Sequence, residues 1–333
     1  MRGRIVLVAL LLAVATAASA QTPESAGSSP SLAPTHTDID YAPPDSPGSN
    51  GHRLDLYLPA QGAGPWPVVI WTGGSAWMAD TGKSSAPAFA TALVPAGYAV
   101  AGVSIRSSSQ VTFPGQLHDM KAAVRWLRAN AARYHLDPAH IAVAGDSSGG
   151  WTAAMTAVTG DVPELEGTVG TTGVSSAVQG AVAFYPPTEF LAMDAWALQK
   201  CTGFCHDAEK SPESRLVGCA IQSCPEKAQA ANPLRYVSAG DPPILILHGG
   251  SDPLVPHNQG ERLYMALNKA CVESIFISLP KAPHGNFPAF LTSDAWREAA
   301  TIRSTARDCS VKNPTPYRPT WSTVIEFLGA HLK

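Results

Sequence analysis

The sequence predicts an α/β chain, a mostly parallel sheet wrapped by helices with an insertion lying over the strand ends. Three observations carry this expectation. Short apolar runs of strand length alternate with longer amphipathic stretches, the rhythm of βαβ units. The run at 140–145 turns through Gly145-Asp146-Ser147-Ser148-Gly149 directly into a helical pattern. Residues 188–238 then break the rhythm with several charges, four of the six cysteines and little periodicity.

In chain order, residues 53–58 read Arg-Leu-Asp-Leu-Tyr-Leu, the alternation of a strand with one wet face. Residues 67–71 and 98–104 are denser apolar runs, as expected for strands covered on both faces. Residues 85–94 between them suit a helix, ended by Pro95-Ala96-Gly97. Over 113–134, Met120, Val124, Leu127 and Ala131 recur at helical spacing, with Lys121, Arg125 and Arg128 on other faces. The strand at 140–145 and a helix over 148–158 follow. Strands are expected at 178–185, 243–247 and 274–279, and helices at 258–269 and 321–331.

The 333 residues are 45% hydrophobic and 15% charged, enough for one large core. Lys plus Arg is 23 against 26 Asp plus Glu, with no basic stripe, so nucleic acid is not an expected partner. Met1-Arg2-Gly3-Arg4, an apolar run from Ile5 to Ala18 and then Ala18-Ser19-Ala20 have the parts of a secretory signal cleaved after Ala20. The run is shorter than the roughly 20 residues a membrane span needs. Residues 21–37 are rich in Ser, Pro, Thr and Ala and read as a disordered lead-in, with the folded domain over 38–333. The expected location is secreted or periplasmic, with no membrane association after cleavage.

The turn at 145–149 is G-x-S-x-G between strand and helix, a nucleophile elbow. So tight a turn requires small neighbours two positions from the serine. Gly145 and Gly149 satisfy this for Ser147, whereas Ser148 would have Asp146 and Gly150. Ser147 is therefore the candidate nucleophile. Gly-Asp-Ser-Ser-Gly-Gly also looks like the serine motif of chymotrypsin-like proteases, but those enzymes order their triad His, Asp, Ser on β-barrels. Here the serine comes first and the pattern is βαβ.

A serine nucleophile needs a base, and the base needs an acid to fix its tautomer. Both belong in loops at the carboxyl ends of strands. Asp252 follows the strand at 243–247, and His284 follows the strand at 274–279. The order Ser, Asp, His is that of α/β-hydrolases. Among ten histidines, His248 and His257 flank the acid loop and read as structural. Donors for an oxyanion are expected from the N–H of Ser148 and from the loop Gly73-Gly74-Ser75-Ala76-Trp77.

Six cysteines in an exported chain argue for disulfides. Cys271 ends a helix and Cys309 lies in the long excursion after His284, so these two are expected to pair. Spacing in the cluster suits nested pairs, Cys201 with Cys224 and Cys205 with Cys219, one of three possibilities. Cys201-x-x-x-Cys205-His206 has one residue too many for haem attachment, and no second zinc-spaced cluster accompanies it. No metal or other cofactor is called for.

The chain resembles the bacterial feruloyl/acetyl-xylan esterase-like carboxylesterases of the α/β-hydrolase superfamily. The resemblance spans about 50–332. It rests on Gly73 to Trp77, on 119–127, on Gly145 to Gly150 and on Phe184-Tyr185-Pro186-Pro187-Thr188-Glu189. It continues through Ser211-Pro212-Glu213-Ser214-Arg215-Leu216, His248 to Pro256 and His284-Gly285. The usual oxyanion-loop histidine is absent, and by position before Trp77 the resemblance implies Ser75 and Ala76 as the loop donors, with Gly74 left open. Ser148 and Trp151 stand where the group often has Ala and His. The resemblance implies ester hydrolysis by Ser147, His284 and Asp252 through an acyl-enzyme. An amidase such as an arylformamidase is the alternative on the same fold. A peptidase would normally bring a propeller-type domain, and the intact triad argues against a non-catalytic binding protein. Trp77, Trp151 and Tyr185 each lie near a strand end carrying catalytic machinery. They are expected to stack on a small or polysaccharide-linked ester with an aromatic or carbohydrate part. The oligomeric state stays open.

Overall fold

A computed structural model describes residues 32–201 and 205–333. The expected signal, 1–20, and residues 21–31 of the expected lead-in lie outside the described residues. The end of that lead-in is part of the fold. Leu32 packs against the apolar core, Thr35 N donates to Leu56 O at 2.6 Å, and strand β1 begins at His36. The folded unit therefore starts before residue 38.

Ten strands form one sheet: β1 (His36–Asp40), β2 (Arg53–Tyr57), β3 (Trp66–Thr72), β4 (Ala99–Val103), β5 (Leu136–Asp146), β6 (Gly180–Phe184), β7 (Ile244–Gly249), β8 (Ser274–Leu279), β9 (Thr301–Thr305) and β10 (Val311–Pro316). Their order is β1-β2-β4-β3-β5-β6-β7-β8-β9-β10. The six from β4 to β8 run parallel, and the pairings at both margins are antiparallel. This is an α/β-hydrolase fold. Alternation along each strand sorts side chains to two faces. In β3, Val68 and Ile70 enter one core and Val69 and Trp71 the other. Helices α2 (Gly115–Ala129), α3 (Ser148–Val158) and α7 (Asn258–Lys269) cover the first face, while α1 (Ala86–Leu93) and α10 (Trp321–Leu332) cover the second. The short helices α4 (Met193–Trp196), α5 (Pro212–Val217) and α6 (Pro225–Ala230) lie in the insertion, and α8 (Ala289–Thr292) and α9 (Asp294–Arg297) follow β8.

Several expectations change. β2 has no wet face: Asp55 is buried because Lys83 Nζ donates to both of its carboxylate oxygens at 2.8 and 2.9 Å. Lys121 and Arg125 of α2 are buried rather than solvated. Their charged ends donate to carbonyls of Thr159, Glu166, Val169 and Thr171 and to the Glu166 carboxylate. The stretch after His284 contains the β9–β10 hairpin, whose outer strand is exposed throughout and protected from further pairing by Lys312, Pro314 and Pro316. Cys271 pairs with Cys309 as expected. The nested pairing is wrong, since Cys201 joins Cys205 and Cys219 joins Cys224. The two half-clusters sit on separate turns either side of α5, so each cysteine meets its sequence neighbour first.

Candidate active site

The carboxyl ends of β3, β5, β6, β7 and β8 open at one rim of the sheet. β5 ends at Asp146 and α3 begins at Ser148, which leaves Ser147 alone on the turn, with φ 53° and ψ −123°. This strained conformation is held by packing. A Cβ on Gly149 would lie 2.0 Å from Thr72 O, and one on Gly145 would lie 2.4 Å from Gly149 O. The small-neighbour rule read from the sequence is thus a contact between the elbow and the end of β3. A Cβ on Gly74 would meet Ser147 Cβ at 2.7 Å, so the loop after β3 lies directly against the serine.

Ser147 Oγ is 3.0 Å from His284 Nε2, and His284 Nδ1 is 2.8 Å from Asp252 Oδ2. Asp252 is buried, and its other oxygen accepts the N–H groups of Leu254 and Val255 at 2.9 and 2.8 Å. With both oxygens engaged, the carboxylate is fixed in orientation. The three residues come from loops after β5, β7 and β8, so 137 residues of chain separate the serine and histidine that touch.

The two flanking histidines are elsewhere engaged. His248 Nε2 donates to Val255 O at 3.0 Å, and burial lowers the pKa of its ring to about 4, keeping it neutral. His257 Nε2 lies 2.8 Å from Ser278 Oγ. Asp146, beside Ser147, is pushed above the usual carboxylate range, chiefly by burial. Its oxygens accept Gly74 N at 2.9 Å and Tyr185 Oη at 3.0 Å.

The donor loop sorts itself by what each N–H already does. Gly74 N is committed to Asp146, and Ser75 N donates to Ser148 Oγ at 2.9 Å. That leaves the N–H groups of Ala76, Trp77 and Ser148 without acceptors among the described residues, and all three residues line the pocket. Ser75, expected as a donor, is a strut. Its bond to Ser148 ties the loop to the elbow, and positive φ at Ala76 and Trp77, 50° and 56°, turns the chain over the serine.

The pocket above Ser147 and His284 encloses about 450 Å³. A larger depression of about 720 Å³ between Glu189 and Lys269 touches none of the triad, so volume alone does not select the site. The walls at Ala76, Trp77, Met78, Pro187, Leu254 and Val255 are mostly apolar. Of the three aromatics expected to stack on substrate, only Trp77 lines it. Trp151 is fully buried, its Nε1 donating to Ala231 O at 2.8 Å, with its ring against Trp77 and Phe113. Tyr185 is fully buried too, its ring 4.7 Å from that of His284. Both support the site from behind. The far wall holds two residues that the sequence reading did not place in the site, His206 and Glu213. The only sequence signals were Cys205-His206 and the stretch 211–216, neither tied to a strand end.

A family model described as BD-FAE matches residues 54–267. Esterase LipQ of Mycobacterium tuberculosis is 29% identical over 267 residues, covering 78% of this chain and 58% of that protein. Probable carboxylic ester hydrolase LipM of the same organism is 27% identical over 238 residues, covering 70% and 51%. The chain thus spans about half the length of the curated relatives it matches. Two solved structures resemble the fold across 89% of this chain. A bifunctional GH43-CE protein of Bacteroides eggerthii has a TM-score of 0.73 at 30% identity, with 38% of that chain covered. A truncated carbohydrate esterase from gut microbiota has a TM-score of 0.71 at 28% identity, with 95% covered.

Proposed function

The chain belongs to the BD-FAE family, and from that premise we propose that it is a serine carboxylesterase acting through Ser147, His284 and Asp252. One observation carries the reading: the continuous Ser147–His284–Asp252 contact, 3.0 and 2.8 Å, on the floor of a pocket.

Ser147 Oγ attacks the ester carbonyl as His284 Nε2 takes its proton. Asp252 holds the ring with Nδ1–H toward itself and stabilises the imidazolium. The carbonyl oxygen, now an oxyanion, accepts the N–H groups of Ala76 and Ser148. Collapse expels the alcohol, which takes the proton from Nε2, and leaves an acyl-serine. Water, deprotonated by the same nitrogen, attacks this ester and releases the acid and free Ser147. Every proton moves through His284, so no cofactor is required.

Short acyl, hydroxycinnamoyl or carbohydrate-linked esters are the proposed substrates. The pocket volume and the likeness to a truncated carbohydrate esterase from gut microbiota support this range. Three disulfides support export to an oxidising compartment. Among the described residues no helix is long and apolar enough to cross a membrane.

A fluorophosphonate probe with peptide mapping tests the nucleophile, the expected result being a single adduct on Ser147 that is absent in Ser147→Ala. A series of 4-nitrophenyl esters tests the substrate range, with turnover falling steeply as the acyl chain lengthens. Labelling at Ser148, or preference for long-chain triglycerides, overturns the corresponding part.

A further inference from the structure

The chemistry proposed above leaves one polar pair in the pocket unused. His206 and Glu213 are 6% and 3% exposed, and both line the cavity that holds Ser147 and His284. His206 Nδ1 is 2.9 Å from Glu213 Oε1, and its Nε2 is 2.9 Å from Leu254 O. Both ring nitrogens face oxygen acceptors, which only the doubly protonated ring satisfies. The ring's tendency agrees: burial opposes its charge, but the bond to Glu213 and the charges of Glu213 and Asp194 outweigh it and raise its pKa above the ordinary histidine value.

Glu213 is thereby half committed. Oε1 is taken by His206, while Oε2 is buried and has no hydrogen-bond partner among the described residues. A buried carboxylate oxygen left unpaired is costly. Across the pocket a second lining residue has an orphaned polar atom, Trp77 Nε1. The carboxylate oxygen lacks a donor and the indole N–H lacks an acceptor, the marks of a site completed by a polar group within the pocket.

We propose that Glu213 Oε2 accepts a hydrogen bond from a hydroxyl group of the ester substrate, which makes the Glu213–His206 pair the determinant of preference for hydroxylated esters. The inference rests on the esterase reading. Two sources offer this chemistry, a ring hydroxyl of a sugar on the alcohol side or the phenol of a hydroxycinnamoyl group on the acyl side. In either case the analogue lacking the hydroxyl strands the oxygen again. A site built to bond a hydroxyl discriminates strongly against its deoxy counterpart. His206 acts as a positioning residue that holds the carboxylate toward the cavity.

The test is kcat/KM on two matched pairs, methyl 4-hydroxycinnamate against methyl cinnamate, and a monoacetylated methyl xyloside against its deoxy analogue. In the wild-type protein one pair is expected to favour the hydroxylated member by at least about tenfold, the scale of one charge-assisted bond; which pair does so names the half of the substrate that is read. Glu213→Gln, a neutral and weaker acceptor, is expected to lower that ratio at least about fivefold. A merely structural role would slow both members equally and leave the ratio fixed, which overturns the proposal. Ratios near one in both wild-type pairs overturn it without any variant. Hydrolysis of 4-nitrophenyl acetate by the wild-type protein separates the two readings. If it is absent the esterase reading fails, and if it is present with flat ratios only the Glu213 assignment fails.

Discussion

The floor of the pocket hangs from the ends of parallel strands, whereas its far wall comes from 188–238, where among the described residues no helix exceeds six residues. On the floor, Ser147, Asp252 and His284 inherit their positions from β5, β7 and β8, and the ladder between those strands sets their spacing. The wall has no such frame. His206 and Glu213 are held by each other, by the Asp194 carboxylate accepting His206 N at 2.9 Å, and by disulfides at 201–205 and 219–224. The proposed chemistry thus rests on the strand ladder, and the proposed selection of substrate on a locally stapled layer that meets it through the His206–Leu254 bond and the apolar cluster around Trp151.

Substitutions separate the two regions. Ser147→Ala strikes the floor's chemistry and nothing else, and is expected to lower 4-nitrophenyl acetate turnover by about 10⁴-fold or more with an unchanged circular dichroism spectrum. Trp151→Ala strikes the seam between floor and wall. Because the ring is fully buried and its Nε1 is bonded, thermal unfolding is expected to show a loss of about 3–5 kcal/mol. A stable Trp151→Ala protein with altered substrate range would instead return Trp151 to the pocket lining.

The two regions also respond oppositely to pH. His248, under the floor, has its folded pKa lowered to about 4, so its contribution is complete above the unfolded value near 6.5 and is lost as pH falls toward 4, a cost of about 3 kcal/mol. His206, in the wall, is raised, so its contribution is complete below about 6.5 and is lost as pH rises through the folded value. Urea unfolding from pH 4 to 7 is expected to show an acid slope that His248→Asn flattens. The exchange protection of 205–217, corrected for the intrinsic rise of exchange with pH, is expected to fall in the wild type as pH rises past about 6.5, and to stay level in His206→Asn. The smallest effects belong to the two local staples. Loop entropy gives about 2 kcal/mol for each local disulfide and about 4 kcal/mol for Cys271–Cys309, which closes 38 residues. Serine replacements followed by calorimetry check that ranking.

The same contrast decides what was legible in the sequence. Ser147, Asp252 and His284 were legible as candidates because each follows an apolar run that ends in a turn, and strand ends announce themselves by periodicity. The oxyanion loop was legible as a loop, but which N–H stays free depends on the bond from Ser75 to Ser148, made 73 residues away. Trp151 and Tyr185 were misplaced because sequence puts them near strand ends without saying which side of the sheet edge they face. Glu213 and His206 had no periodic frame to be read against. The cysteine pairing failed because spacing fits nested and sequential pairing equally, and only the fold shows two separate turns. Lys121 and Arg125 were buried by backbone carbonyls of 159–171, which no helical pattern reveals.

The sequential pairing of Cys201–Cys205 and Cys219–Cys224 has a further consequence for how such a chain can change. Every covalent cross-link of the insertion begins and ends inside it. The segment from 190 to 224 is therefore covalently self-contained. Its exchange would leave no orphan thiol on the remaining domain, and a replacement would have to restore only the apolar cluster that Phe190, Met193, Leu216 and Ile221 share with Leu117 and Trp151.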